Sequence, residues 1–464
     1  MNNPKHIVSK LFTQGFGSKL RRNMSSGVVS MSINTLLLLI SFRLYLHFLG
    51  YEQYGLWLIL ATVLSFAQLG DLGVGQAIIK LVAEEYANKN IKGIQKYVVT
   101  ALALLCISGA VIFILILVFT NNIITLFKLS GENANMASSL LPYIAALSIY
   151  VFIVQIFNYT LAGLGRMDLT NYIQSSSRII TFTTAIILLY NNSGVKSLLI
   201  GNTVSYVFVN IASLVCIKSI CRFRFFERGN LDIRHCKRTL TFGAGVFGGT
   251  LMGMFISPFN KLMLSRYAGI SAIPVYEIAF SGSMQLRGLI EPAFKALMPE
   301  VSRLSANLTT QSIQRLDTIK HHVRKVLLTF AIPLYTGVFC IATPLFKIWL
   351  GDRFVDTIPP AFRFILIGTF LSLVAVPSYY YLMGMGHTRR IFISRSITAL
   401  TNVILATLII LFTNSISVIL IGVCLVAAWF LSSAYTIYYS VQTHANIRKH
   451  HIESETSSLE EIDG

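Results

Sequence analysis

The sequence predicts an all-α polytopic membrane protein of about 12 transmembrane helices. Three observations predict it. Mean hydropathy is +0.66. Of the 464 residues, 54% are hydrophobic and 12% charged, about half the charge of an ordinary soluble domain. The apolar residues are also gathered into long runs, and the basic residues between those runs fall almost entirely on alternate sides.

MSSGVVSMSINTLLLLISF (24–42) and ALALLCISGAVIFILILVF (101–119) are the plainest runs. Each approaches the roughly 20 residues a helix needs to cross about 30 Å of hydrocarbon. Inside lipid the backbone polar groups must be satisfied within the segment, so such runs are helices. Twelve spans follow, near 25–49, 55–82, 97–119, 138–161, 171–191, 196–217, 239–265, 274–298, 326–349, 361–383, 391–413 and 416–440. The eighth is the least apolar, with Arg287, Glu291, Lys295 and a proline, Pro292.

Residues 1–23 carry Lys5, Lys10, Lys19, Arg21 and Arg22, with no small-residue cleavage site after a short apolar core. They read as a retained basic cytoplasmic segment, either an interfacial helix or an unstructured leader. With the N-terminus inside, 26 Lys and Arg fall on inner segments and four on outer ones. That asymmetry sets the orientation. It also accounts for the net charge of +19 without nucleic acid as a partner. The tail 441–464, ending ESETSSLEEIDG, is polar and is expected to be disordered and cytoplasmic. The six cysteines form no CxxC pair and lie in spans or on the reducing side, so neither a disulfide nor a metal site is expected.

The spans divide into two halves. YTLAGLG (159–165) and YYLMGMG (380–386) share Tyr-x-Leu-x-Gly-x-Gly at an offset of 221, ending spans four and ten. HFLG (47–50) and RYAG (266–269) match at an offset of 219, ending spans one and seven. The predicted organisation is a six-helix bundle over 24–217, a basic cytoplasmic linker over 218–238, and a second six-helix bundle over 239–440. Six is even, so the halves share one orientation, related by a parallel pseudo-twofold axis along the membrane normal.

Arg43, Asp71, Arg178, Lys261, Arg287, Glu291, Lys295 and Arg395 are ionisable residues inside spans. Each costs roughly 2.5–3.5 kcal/mol at a helix centre, so such residues tend to face a bundle interior or a water-filled cavity. Arg287, Glu291 and Lys295 stand at i, i+4 and i+8 on one face. They form a substrate cavity wall beside a helix broken at Pro292, or else an intrahelical salt bridge with Lys295 reaching the inner interface. Lys261 follows Pro258 and marks a candidate second break. Asp71 is expected to pair with a neighbouring Arg or Lys, or to titrate. Arg43 is as well explained by its nearness to the outer interface. Arg178 and Arg395 follow the two Gly-x-Gly turns near the inner interface, where snorkelling is cheap. Gly245, Gly249 and Gly253 form a stripe suited to close helix packing. The excess of cations implies an anionic ligand, a phosphate or pyrophosphate, because guanidinium forks onto phosphate oxygens.

FLGYEQYGLW (48–57) followed by LGDLGVGQAIIKLVAE (69–84) resembles the opening of Wzx-type bacterial polysaccharide flippases. KLMLSRYAGISAIPVYEIA (261–279) and ALMPEVSRL (296–304) resemble the start of their second half. The resemblance implies the MATE-like fold of the multidrug/oligosaccharidyl-lipid/polysaccharide exporter superfamily, with alternating access through a central cavity. It implies a bacterial inner-membrane transporter, not an enzyme. The cargo would be an undecaprenyl-pyrophosphate-linked oligosaccharide, moved from the cytoplasmic to the periplasmic leaflet for O-antigen, capsule or another surface glycan. It further implies no cofactor, an ion gradient (protons) as the energy source, and the pathway's polymerase and chain-length regulator as partners. Asn260 and Lys261 depart from the family pattern near position 260. Two alternatives are a multidrug exporter of the same fold and an oligosaccharide polymerase or ligase. The cationic interior disfavours the first, and the shortness of the outer loops the second. No Gly-rich loop is followed by the Lys and Ser/Thr that direct ATP hydrolysis needs.

Overall fold

The computed structural model describes residues 18–71, 73–221, 233–295 and 327–460, with isolated positions between 301 and 325. Within some helices it describes the backbone alone. All regular elements among the described residues are helical. Eight helical stretches among them are long and apolar enough to cross a membrane, and the described part of each predicted span lies mainly on helix. The chain is a multi-pass membrane protein. It divides into two compact units, 1–247 and 248–464. The division falls inside a helix, at the Gly245–Gly249 stretch and beyond the predicted linker at 218–238, of which 222–232 lie outside the described residues.

In the first unit, α1 (Ser18–Ala67) holds spans one and two, bent at Gly50 with φ 68°. Gly lacks the Cβ that makes this conformation costly. The predicted span 55–82 is interrupted. A 3₁₀ turn (Gln68–Asp71) follows α1, and α2 (Val74–Ala87) begins after Gly73 at φ 76°. Then come α3 (Ile91–Val118), the short α4 (Thr120–Leu126), α5 (Gly131–Gly163), α6 (Met167–Tyr190) and α7 (Lys196–Cys221). The core lies where α2, α3, α5 and α7 meet, around Ile78, Leu81, Ile94, Phe152 and Leu161. α1 is tied to α6 by a polar ladder near its start. Arg22 pairs with Asp168 at 3.0 Å, Asn171 donates to Ser26 at 3.0 Å, and Ser175 donates to Ser30 at 2.7 Å. Burial alone would raise the Asp168 carboxyl. The hydrogen bond and charge of Arg166, the Leu169 amide and the charge of Arg22 outweigh burial and hold it below the ordinary 3.8.

α8 (Ile233–Tyr267) carries the division between units. The second unit continues with α9 (Ala272–Lys295), a π turn (Leu327–Ala331) leading into α10 (Ile332–Leu350), α11 (Ile358–Gly384), α12 (Thr388–Thr413) and α13 (Val418–Glu460). Two expectations are corrected. Neither proline breaks its helix: α8 runs through Pro258 and α9 through Pro292. A proline removes one backbone hydrogen bond, and the turns on either side hold the segment. The tail is also not disordered through residue 460, because α13 extends to Glu460. Residues 441–460 contain neither Gly nor Pro, so nothing local stops the helix.

The halves repeat in backbone conformation as well as in sequence. Residues with positive φ pair as Gly50 with Gly269, Gly131 with Gly351, Gly165 with Gly386, and Asn192 with Asn414. The offsets are 219, 220, 221 and 222, so the repeat holds from the first turn of each half to the last.

Candidate functional site

A cavity of about 320 Å³ lies within the second unit, bounded by α8, α9, α11, α12 and α13. Its polar wall includes Arg287, Glu291, Ser372, Tyr379 and Arg395, and Trp429 closes one side. Arg287 donates through Nε to Glu291 Oε2 at 3.0 Å and through Nη1 to Ser372 Oγ at 2.8 Å. Tyr380 donates to the other Glu291 oxygen at 3.3 Å. Arg395 donates to Tyr379 Oη at 3.1 Å, with its guanidinium 5.4 Å from that ring's centre. Two guanidiniums and one carboxylate leave this wall with a net positive charge.

Local sequence explains how these groups reach the cavity. Arg287 and Glu291 are one turn apart, so both project from one face of α9. Arg395, on α12, passes close to Gly253 of α8. A Cβ there would stand 2.9 Å from Arg395 Nη1. Hydroxyls complete the wall, with Ser394 within 2.9 Å of Ser432 Oγ and 2.7 Å of Thr436 Oγ1.

Lys261 does not line this cavity. Its ammonium pairs with Glu277 at 2.8 Å, both side chains being largely buried. Glu277 also accepts from Ser281 at 2.9 Å. Beside this pair, Asn402 donates to Asn260 at 2.8 Å and Asn260 donates to Tyr276 at 3.2 Å, all three fully buried. Tyr276 stacks on Phe280, which stacks on Trp429 of the cavity wall. The network thus lies directly behind the cavity wall.

The structure brings together three of the predicted site residues: Arg287, Glu291 and Arg395. Arg395 had two readings from sequence, a cavity residue and a cation snorkelling to the inner interface. Lys295 ends α9, and its side chain is outside the described residues. Asp71, Arg43 and Arg178 belong to the first unit. Among the described residues Asp71 makes no ion pair. Its Oδ1 accepts the Gly75 amide at 3.1 Å, satisfying a first-turn amide of α2. Ser108 donates to the Gly70 carbonyl at 2.7 Å in the same turn. Arg43 and Arg178 are exposed. Sequence reasoning missed Glu277, Ser372, Tyr380 and the hydroxyl wall. Glu277 had a signal, since it is an acidic residue in the span following the one that carries Lys261.

The family described as "Polysaccharide biosynthesis protein" matches residues 20–305, well over half of the chain. The chain belongs to the polysaccharide biosynthesis protein family. A Shigella flexneri relative in the curated proteins, named "Putative O-antigen transporter", is 21% identical over 384 residues, covering 79% of this chain and 85% of that one. Two solved structures share the fold of this family member. An inward-facing multidrug resistance MATE family transporter of the MOP superfamily superposes with a TM-score of 0.73 at 15% identity, covering 91% of this chain and 99% of that one. The lipid II flippase MurJ, in an inward closed conformation, superposes with a TM-score of 0.70 at 17% identity, covering 93% and 90%. At these identities the likeness establishes the MATE-like fold, and the Wzx-type resemblance read from sequence agrees with it.

Proposed function

We propose that this protein is a flippase for lipid-linked glycans. Its cargo is an undecaprenyl-pyrophosphate-linked oligosaccharide, moved from the cytoplasmic to the periplasmic leaflet of the inner membrane to supply O-antigen, capsule or a related surface polysaccharide. The observation that carries this reading is the cationic wall of the second unit's cavity. A pyrophosphate bears charges that Arg287 and Arg395 complement, and guanidinium forks onto phosphate oxygens. The hydroxyls and aromatic faces alongside suit a carbohydrate. Family membership, the O-antigen transporter relative and the flippase fold all support it. We also propose an ion gradient, with protons as the coupling ion, as the energy source, and the pathway's polymerase and chain-length regulator as partners.

The test is deletion of the gene in its host, followed by measurement of surface polysaccharide and of the leaflet that holds the lipid-linked repeat unit. Repeat units trapped on the cytoplasmic leaflet are expected. Restoring the gene as Arg287→Gln is expected to cut export at least about tenfold at unchanged protein level, since a charge-assisted bond is worth about 1.5–3 kcal/mol. Single repeat units reaching the periplasm unpolymerised would identify a polymerase instead. Unchanged glycan with altered drug sensitivity would identify a drug exporter.

A further inference from the structure

At the start of α12, outside the cavity, two arginines stand beside a group of tyrosines from α13. Arg390 donates to Thr443 Oγ1 at 2.7 Å, and its guanidinium lies 4.6 Å from the centre of the Tyr439 ring. Tyr439 packs against Tyr435 at 4.6 Å and Tyr438 at 5.2 Å, and Tyr438 is 61% exposed. Arg389 is exposed and, with Arg390, acts electrostatically on the Tyr435 phenol. Among the described residues neither arginine pairs with a carboxylate. His387, next to them, is held below its ordinary 6.5 by burial and then by the Arg390 charge. It is therefore neutral near pH 7, and the positive charge here belongs to the two guanidiniums.

This cluster is continuous with the cavity. Arg390, Ser394 and Thr398 occupy i, i+4 and i+8 on one face of α12, and Ser394 and Thr398 line the cavity. On α13, Tyr439 stands three residues beyond Thr436, another lining residue. Arg390 thus extends the cavity wall by about one 5.4 Å turn. A guanidinium has five N–H donors, of which Arg390 commits one to Thr443, so it retains donors to fork onto a phosphate. The exposed tyrosine faces offer apolar surface to the C–H face of a sugar ring.

We infer that Arg389, Arg390 and Tyr439 form a reception site for the pyrophosphate head of a lipid-linked glycan, holding it at the inner mouth before it meets Arg395 and Arg287. The inference rests on the flippase reading and on the charge asymmetry that puts residues 389–390 inside. The headgroup phosphate of an ordinary anionic phospholipid shares part of this chemistry, so the test separates the two.

The full-length protein in phosphatidylcholine nanodiscs is titrated with undecaprenyl pyrophosphate and, separately, with phosphatidylglycerol, with bound lipid read by native mass spectrometry. R389Q/R390Q is expected to weaken undecaprenyl pyrophosphate binding about tenfold and to change phosphatidylglycerol binding less than about twofold. R389K/R390K keeps the charges that orient the helix but not the fork, and is expected to lose at least about threefold. It serves if the Gln variant does not insert. Equal losses for both lipids would make this a general phospholipid patch and overturn the inference, as would unchanged binding in both variants. Failure of the wild-type protein to bind undecaprenyl pyrophosphate would instead tell against the flippase reading, and the reception site would fall with it.

Discussion

Asp71 in the first half and Glu291 in the second stand 220 residues apart, and Tyr159 and Tyr380 stand 221 apart. Each carboxylate lies near its tyrosine. Asp71 acts electrostatically on the Tyr159 phenol, and Glu291 accepts from Tyr380. The outcomes differ. Around Asp71 the sequence is GDLGVG, the helix breaks at Gly73, and the carboxylate is consumed by the Gly75 amide. A side chain at Gly75 would collide with the Tyr159 ring. Around Glu291 the matching positions are Ile290, Ala293 and Lys295, so α9 continues and the carboxylate is left for Arg287. One repeated scaffold thus places a carboxylate and a phenol twice. The neighbouring glycines decide whether that carboxylate closes a helix end or meets a guanidinium in a cavity.

The buried ion pair is the second difference, and it yields the largest expected effect. At an offset of 219 from Lys261 and Glu277, the first half has Phe42 and Leu58, both buried. Lys261→Met strands the Glu277 charge and is expected to cost about 3–5 kcal/mol. K261F/E277L copies the first half and is expected to recover most of that. Thermal unfolding in detergent measures both. A double variant as unstable as the single one would mean that the second half cannot accept the first half's solution.

A smaller effect should be shared by the halves. Gly165 and Gly386 both have positive φ, with nothing within 4 Å of the Cβ an alanine would add. The penalty is therefore backbone strain alone, about 1–2 kcal/mol at each site. Gly165→Ala and Gly386→Ala should lower the unfolding temperature alike, and a clearly unequal pair would show that the repeat is only superficial.

The smallest effect belongs to the first half. Asp168→Asn is expected to cost about 0.5–1 kcal/mol near pH 7, because its arginine partners are part-exposed. The Asp168 carboxyl is lowered on folding, so its contribution is present above the ordinary 3.8 and is lost as pH falls through its lower folded value. A stability profile against pH should flatten below about pH 4 in the variant. An unchanged profile would remove the Arg22–Asp168 pair as a clasp between α1 and α6.

Much of the scaffold was legible in the residues. Among the described residues every predicted stretch but the interrupted 55–82 is helical without an internal break, and the two motifs at offsets 219 and 221 mark the backbone repeat, because apolar length and glycine conformation are properties of short segments. The candidate site was legible only in part. Arg287 and Glu291 were found together because their spacing fixes their mutual position. The interruption at Asp71 was missed because hydropathy does not register a glycine turn inside an apolar run, while Pro258 and Pro292 drew the expectation of breaks that their flanking turns prevent.

The sequence by itself therefore determined the membrane-spanning character, the order of helices and the twofold repetition, since each follows from interactions within a turn or two of chain. Only tertiary structure decided that Lys261 is paired with Glu277, that Arg395 lines the same cavity as Arg287, and that Asp71 caps a helix. Coulomb energy and hydrogen bonding depend on distances between side chains far apart in sequence, and helix packing alone sets those distances.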